Sequence, residues 1–421
     1  MINKLSQKFS KTEWSWIFQD WANSVYSLMI TTAIFPIFYK SVTDAAGISS
    51  SDSTAYLGYA NSVATVLIGL LAPLLGTIAD YPKVRKPLFT VGTMLAIVAV
   101  FSMMFVSNSD WLSLLLLYAV SAIGFGMANI FYDGSLMDVT SRDRLDQVSS
   151  AGFGFGYIGS VVPFLIFMVF QLGGFFDART TVNIGFMLTA VWWFGFTIPY
   201  WMNVEQSSYS EKEGSLLKST FKSIKTTLGE IKQYKHISLF LIAYFFYIDG
   251  VGTIIKMATS VGTDIGLSAD QLIIMLLIVQ IVAFPCTILY GVLAKKFGTR
   301  SMLFVGIATY MIICIIALGL ETFNDFLFLA ILVGTAQGGI QSLSRSYFGQ
   351  MIPSQNTNQF FGFYNIFGKF SSVLGTTALG IVAQLTDDSL KGVFALIGQF
   401  IIGAILLYFA KPPKNQESVS I

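Results

Sequence analysis

Histidine, cysteine and charged residues are all scarce in this chain of 421 residues. The single histidine, His236, excludes a proton relay or a metal site built from several histidines. The two cysteines, Cys286 and Cys314, lie in apolar runs without metal-site spacing, so neither a disulfide framework nor a zinc site is indicated. One histidine also leaves no nucleophile–histidine–acid set. We therefore expect no enzyme, no cofactor and no bound metal.

Hydrophobic residues dominate instead. They make up 54% of the chain against 11% for charged residues, and the mean hydropathy is +0.68. Charged residues are about a quarter of a soluble domain, so the composition indicates a polytopic membrane protein surrounded by lipid. The formal net charge is only +2, and we expect no nucleic-acid partner.

Hydropathy over windows of about 19 residues predicts about twelve membrane-spanning helices. Their predicted ranges are 17–38, 55–79, 88–106, 112–136, 152–172, 182–202, 237–260, 271–294, 301–320, 326–348, 360–385 and 392–410. Lysine and arginine concentrate in alternate connections, for example Lys83, Arg85, Arg142 and Lys295, whereas the other connections are mainly acidic. The positive-inside rule then predicts both termini in the cytoplasm. We expect a multi-pass protein of the cell (inner) membrane.

One long polar segment, residues 205–235, divides the chain into halves of six spans each. We predict an N-terminal bundle over 1–204, a cytoplasmic linker over 205–235 and a C-terminal bundle with a short tail over 236–421. Residues 216–234 place apolar side chains at helical intervals beside lysines, which predicts a basic amphipathic helix on the membrane surface. A regulatory or lipid-sensing element and a solvated linker both fit this segment.

The first span carries a polar stripe. Asp20, Asn23 or Ser24, Ser27 and Thr31 recur at helical spacing within an apolar run. A carboxylate in hydrocarbon is costly and normally faces a protein interior or a water-filled cavity. We therefore predict that Asp20 and Asn23 line a pathway.

The seventh span contains Asp249 and Lys256, seven residues apart and thus on one helix face. They can neutralise each other, or they can bind the ammonium and carboxylate groups of an amino acid, and the sequence leaves both interpretations open. Asp20 and Asp249 are the carboxylates that we expect to couple transport to protons.

Polar residues also share single faces in the tenth and eleventh spans. Gln337, Gln341 and Arg345 follow at four-residue intervals, and Asn365 precedes Lys369 by one turn. The two glutamines, Asn365 and Lys369 are candidates for solute binding, with interhelical hydrogen bonding as the alternative. Arg345 is expected to be an interfacial anchor near the cytoplasmic end of its helix.

Two aspartates lie at the end of the fourth span. Asp133 is expected to reach a central cavity together with Asn129, whereas Asp138 is expected to join Arg142 and Arg144 in the inner loops.

The connection after the second span contains Gly76, Asp80, Arg85 and Lys86, and a related glycine-plus-cation pattern begins at Gly291. The first of these resembles the signature loop of the major facilitator superfamily. That resemblance implies that the four residues take part in the switch between inward-open and outward-open states.

Further stretches resemble the vacuole-effluxer-like branch, also called the unknown major facilitator family, in its bacterial form. They are residues 20–24, 34–36, 148–159, 338–346, 352–353 and 360–369. Asp133 and Ile248 depart from the family pattern, where asparagines are expected. The resemblance implies twelve helices in two pseudo-symmetric six-helix bundles and secondary transport of a small solute, which in the fungal members is an amino acid. We expect a monomer that works by alternating access. Export of a drug or metabolite and a non-transporting membrane sensor or scaffold are the alternatives.

Overall fold

The computed structural model describes residues 9–209, 235–264, 266–353, 356–369, 375 and 393–411. Within these ranges, ten helices are long and apolar enough to span a membrane. They are α1 (Lys11–Ala45), α2 (Ser50–Ala79), α3 (Arg85–Phe105), α4 (Trp111–Val139), α5 (Leu145–Gly173), α6 (Ala178–Asn203), α7 (Lys235–Asp264), α8 (Ala269–Phe297), α9 (Thr299–Ala317) and α10 (Phe323–Met351). Residues 357–369 form a helical stretch, α11, and Val393–Phe409 forms the shorter helix α12. These helices confirm the predicted all-α membrane fold.

Several helices begin earlier than hydropathy predicts, because polar side chains cap their first turns. The Ser49 hydroxyl accepts a hydrogen bond from the backbone N–H of Asp52, so α2 begins at Ser50. At the start of α10, Thr322 and Asp325 cap each other's backbone N–H groups reciprocally. Such caps are polar, and a hydropathy window therefore misses them.

Helix α1 changes its winding halfway. Residues Tyr26–Ile34 form a π-helix, in which each backbone N–H bonds five residues back instead of four. The Thr32 hydroxyl follows the same wide turn and donates to the carbonyl of Ser27 over 2.9 Å. The polar stripe consequently continues at Thr32, and the predicted continuation at Thr31 is wrong because it assumed a uniform α-helical period.

Each half of the chain has its own apolar core. One continuous core runs from Ile237 to Ala410, and two others lie within residues 16–204. The predicted boundaries near 205 and 235 remain a prediction, since residues 210–234, including most of the predicted amphipathic helix, lie outside the described residues.

The two halves meet where α5 packs on α8 and α10. A Cβ atom added at Gly291 of α8 would lie 2.7 Å from the Cβ atom of Ser150 and 2.9 Å from the carbonyl oxygen of Asp146, so only glycine allows this close crossing. The loops that carry the lysines and arginines lie together at one end of the bundle. We call it the basic end, and we call the opposite end, with Asp52, Asp110, Asp177 and Glu321, the acidic end.

Candidate functional site

A polar cavity of about 510 Å³ lies between the two halves. Residues predicted from the sequence line it from both sides. They are Asp20, Asn23 and Asp133 from the first half and Lys256, Gln341, Asn365 and Lys369 from the second. Ser24, Ser27, Asn129 and Arg345 add further polar side chains to its surface.

A second, largely apolar cavity of about 370 Å³ adjoins the polar one, and both are lined by Ser24, Ser27, Phe153 and Gln341. Its wall consists mainly of aliphatic side chains from the second half, among them Leu272, Met275, Leu276, Val279, Ile313, Leu329 and Val333. Gln337 faces this apolar cavity and is not among the residues that line the polar one. The combined space therefore has a charged floor and an apolar side wall.

Arg345 is the centre of the charged floor. Its guanidinium group lies 3.2 Å from the Asp20 carboxylate and 3.1 Å from the Asp133 carboxylate. It also donates to the hydroxyl of Ser149 (3.0 Å) and to the carbonyl of Ser149 (3.1 Å). All four contacts reach from the second half to the first, so this arginine joins the halves beneath the cavity.

Aromatic rings surround the Arg345 guanidinium. It lies 4.7 Å from the Trp16 ring centroid, 4.3 Å from that of Phe153 and 5.5 Å from that of Tyr132. Trp16 and Tyr132 are stacked at 4.5 Å, and the Trp16 indole N–H donates to the hydroxyl of Ser135. The rings exclude water and add cation–π attraction, which favours the charged state of the arginine.

Side-chain amides extend the hydrogen-bond network around Arg345 into the polar cavity. The Asn365 side chain donates to Asp133 over 3.2 Å, and the Asn23 side chain donates to Asn129 over 2.8 Å. Lys369 approaches the first half at Gly126, where an added Cβ would lie 2.9 Å from its Nζ atom. The predicted proximity of Asp133, Asn129 and the central cavity is therefore present in the structure.

Asp249 and Lys256 do not act together in the cavity. Lys256 lines the polar cavity, whereas Asp249, two turns earlier on α7, is completely buried. No ion pair joins them among the described residues. Their spacing predicted a common face correctly, but neighbouring helices cover the Asp249 end of that face.

The signature-loop residues lie at the basic end, where they contact the second half. Asp80 accepts hydrogen bonds from the backbone N–H groups of Asn358 and Gln359, over 2.9 and 3.0 Å, and from the Asn358 side chain over 2.9 Å. The carboxylate therefore caps the first turn of α11. Gly76 packs against the backbone of Asn358, and Lys86 is half-buried in the first turn of α3.

Arg85 forms a buried ion pair with Asp138. The expected partnership of Asp138 with Arg142 and Arg144 is therefore wrong. Arg144 instead pairs with Glu13 over 2.8 Å, and Arg142 donates to the carbonyl groups of residues 350 and 352 in the second half. Arg85 prevails because the residues that follow α6 close over it. Its guanidinium group donates to the carbonyl of Glu205, and its backbone N–H donates to the side chain of Gln206.

A further buried carboxylate at the basic end, Asp146, also contacts the second half and was not predicted. It accepts hydrogen bonds from Thr299 (2.6 Å), Ser346 (2.5 Å) and Gln350 (3.1 Å), all in the second half. Arg345 was also misjudged, since it is buried between the halves and is not an interfacial anchor. A recognisable signal was present, because Ser342 and Ser346 lie four residues apart and give one face of its helix two small polar side chains.

The comparisons with known proteins agree with this architecture. The family described as "Vacuole effluxer Atg22 like" matches residues 9–419. The chain belongs to this family. The MFS-type transporter YxiO of Bacillus subtilis (strain 168) is 47% identical over 421 residues, covering 99% of this chain and 98% of that protein. Autophagy-related protein 22-1 of Aspergillus niger is 27% identical over 264 residues, covering 56% of this chain and 42% of the fungal protein.

Solved structures show the same fold. The major facilitator superfamily transporter FucP in its outward conformation superposes with a TM-score of 0.70 at 12% identity, covering 96% of this chain and all of FucP (100%). A bacterial homologue of the iron transporter ferroportin in its outward-facing state gives a TM-score of 0.67 at 12% identity, covering 95% and 98% of the two chains. The chain is thus a multi-pass membrane transporter of the major facilitator type. The predicted family is confirmed.

Proposed function

We propose that this transporter moves a small carboxylate-bearing solute, with amino acids as the solute class, by proton-coupled alternating access. The observation that carries the proposal is the distribution of charge around the polar cavity. Asp20 and Asp133 come from the first half, whereas Lys256, Arg345 and Lys369 come from the second. Because cations exceed carboxylates by one, the cavity favours a ligand that brings its own carboxylate.

A zwitterion suits the division of these charges. The carboxylate of the zwitterion can contact Lys256 and Lys369, and its ammonium group can contact the Asp20 carboxylate. Its side chain can extend into the apolar cavity. Simultaneous contacts with both halves favour the state in which the halves approach each other around the solute. Such differential binding is what allows a solute to shift a conformational equilibrium.

The described conformation has its halves joined at the basic end. The positive-inside rule predicts that the basic end lies in the cytoplasm, together with both termini. The cavity of this conformation would then face the outside of the cell (inner) membrane. Opening toward the cytoplasm then requires that Arg345 leave Asp20 and Asp133 and that Asp80 leave α11. The chain is expected to do this as a monomer.

Protons are the proposed coupling ion. When the halves separate at the basic end, Asp20 and Asp133 lose the guanidinium group that neutralises them. Unpaired buried carboxylates cost several kcal/mol, and binding a proton removes that cost. Protonation would therefore favour the inward-open state.

Uptake into proteoliposomes tests this function. A radiolabelled amino-acid mixture is expected to accumulate when a pH gradient is imposed, and the accumulation should collapse with a protonophore. Lys256→Met should raise KM by about tenfold or more, as expected for a charged hydrogen bond of about 1.5–3 kcal/mol. Lys40→Met is the matched control, since Lys40 is exposed outside the cavities. Absence of accumulation rejects amino acids, and accumulation without a pH gradient rejects proton coupling.

The apolar cavity favours a second candidate function, export of an apolar drug or metabolite. That function predicts binding of ligands without an amino group and indifference to Lys256→Met. Competition of such ligands with amino acids in the same vesicles distinguishes the two candidates.

A further inference from the structure

A group of buried polar side chains lies within the second half, apart from the solute cavity. On α7, Ile248, Gly252 and Lys256 line the polar cavity, whereas Asp249 and Thr253 lie one turn apart and are both 0% exposed. A carboxylate and a hydroxyl at this spacing share one helix face. That face points into the bundle of the second half.

Two other helices close the space around Asp249. From α12 comes Gln399, which is 5% exposed and lies near the carboxylate. From the eleventh-span region comes Gly375, where an added Cβ would lie 2.8 and 2.9 Å from the two carboxylate oxygens. Among the described residues, Lys256 is the charged group that acts on Asp249, two turns along the same helix. The other described groups beside Asp249 are the Gly375 backbone, the Thr253 hydroxyl and the Gln399 amide, and none of these three carries charge.

The polar atoms of this group form no hydrogen bond of normal geometry within the part of the chain that the structure describes, although the Gln399 side chain and the Gly375 backbone lie close enough to interact with Asp249. This holds for both carboxylate oxygens of Asp249, for the Thr253 hydroxyl and for both side-chain atoms of Gln399. Buried polar groups in native proteins are nearly always paired, so three unpaired side chains facing one another indicate a missing ligand. Four of the five unpaired atoms are oxygens, which favours a cation.

We propose that Asp249, Thr253 and Gln399 form a binding site for one small monovalent cation, either a proton or Na⁺. One carboxylate is neutralised by one positive charge, whereas a divalent ion would leave an excess charge in an apolar bundle. A proton on Asp249 would donate to the Gln399 carbonyl oxygen, while the amide and hydroxyl groups donate to the other carboxylate oxygen. Na⁺ would take its oxygen ligands from all three side chains.

The site lies next to the apolar cavity. Leu396 lies one turn before Gln399 on α12 and lines the apolar cavity, so the site lies directly beyond that wall. Helix α7 carries both this site and Lys256, and a cation that fixes α7 would therefore also position the solute-binding lysine. This use in coupling rests on the proposed function, whereas cation binding itself rests only on the geometry.

Thermal stability of the purified full chain in detergent tests the site. One series varies Na⁺ against choline at fixed pH and ionic strength, and the other varies pH without Na⁺. The melting temperature should rise with Na⁺ if Na⁺ is the ligand, and with falling pH alone if a proton is, because a ligand bound only by the folded state stabilises it. A melting temperature that responds to neither overturns the site.

Variants locate the response. Asp249→Asn should abolish it, and Gln399→Leu or Thr253→Val should shift the half-saturating cation concentration upward about tenfold. Thr287→Val is the matched control, because the buried Thr287 hydroxyl donates to its own helix at Ala283. A full response in Asp249→Asn overturns the proposal, and if that variant does not fold, an unchanged response in Gln399→Leu does so.

Adding amino acids to the same samples separates this proposal from the proposed function. Stabilisation by amino acids without any cation response rejects the cation site alone. A cation response that Asp249→Asn removes, without stabilisation by amino acids, supports the site and rejects only the proposed solute.

Discussion

Removing the Arg345 side chain should open the basic end of the transporter. Arg345→Met keeps much of the volume but deletes two ion pairs and two hydrogen bonds to Ser149. It leaves Asp20 and Asp133 buried without their cation and close enough to repel each other. Removing one partner of a buried ion pair typically costs about 3–5 kcal/mol, or about a hundredfold to several thousandfold in an equilibrium constant.

This cost falls on one conformation. The contacts exist only while the halves meet at the basic end, so the substitution destabilises that state relative to the one in which the halves have separated there. A population change of this size should convert a closed basic end into a predominantly open one.

Spin labels can measure the change. Lys83 and Lys296 are exposed at the basic end, one in each half, and cysteines placed there after replacement of Cys286 and Cys314 give a single distance. We expect the distance distribution in Arg345→Met to shift to longer values. Arg300→Met is the matched control, because the hydrogen bonds of Arg300 within the described residues go to backbone carbonyls of α12 in its own half. Equal distributions in Arg345→Met and the parent would refute the idea that this arginine joins the halves.

Two further substitutions test the other contacts between the halves. Asp80→Asn should shift the spin-label distances to longer values, by less than Arg345→Met does. The reason is that an amide oxygen cannot replace a carboxylate that accepts three hydrogen bonds at the start of α11. Unchanged distances would show that this cap does not stabilise the closed state. Gly291→Leu should lower the melting temperature by forcing α8 away from α5, whereas Gly195→Leu should not, since an added Cβ at Gly195 meets nothing within 4 Å. Equal melting temperatures for the two glycine variants would contradict the crossing described for Gly291.

The fold was predictable because the information that specifies it is local. A membrane helix is visible in the sequence as an apolar run of sufficient length. Each of the observed helices α1 to α10 overlaps one of the predicted spans. Hydropathy missed two kinds of feature, polar helix caps and changes of helical winding. Examples are the Ser49 cap of α2 and the π-helical turn of α1, which moves the polar stripe from Thr31 to Thr32. Both depend on backbone hydrogen bonding that an apolar count does not register.

The site was predictable only in part, because pairing between distant helices leaves little trace in one sequence. Buried charge identified Asp20, Asp133 and Lys369 as candidates. It could not show that Arg345, 325 residues from Asp20, lies between two carboxylates. Spacing placed Asp249 and Lys256 on one face, but only the packing of α12 and Gly375 separates their surroundings.

The most direct test of the proposed solute class is ligand stabilisation of the purified transporter. Amino acids are compared with the amines that lack their carboxylates, in the parent chain and in Lys256→Met. A ligand at about a hundredfold its dissociation constant stabilises the folded state by about 2.7 kcal/mol, which is readily measured as a melting shift. Stabilisation by amino acids but not by the amines, lost in Lys256→Met, is the predicted result. Equal stabilisation by amino acids and amines, or stabilisation only by ligands without a carboxylate, would contradict it.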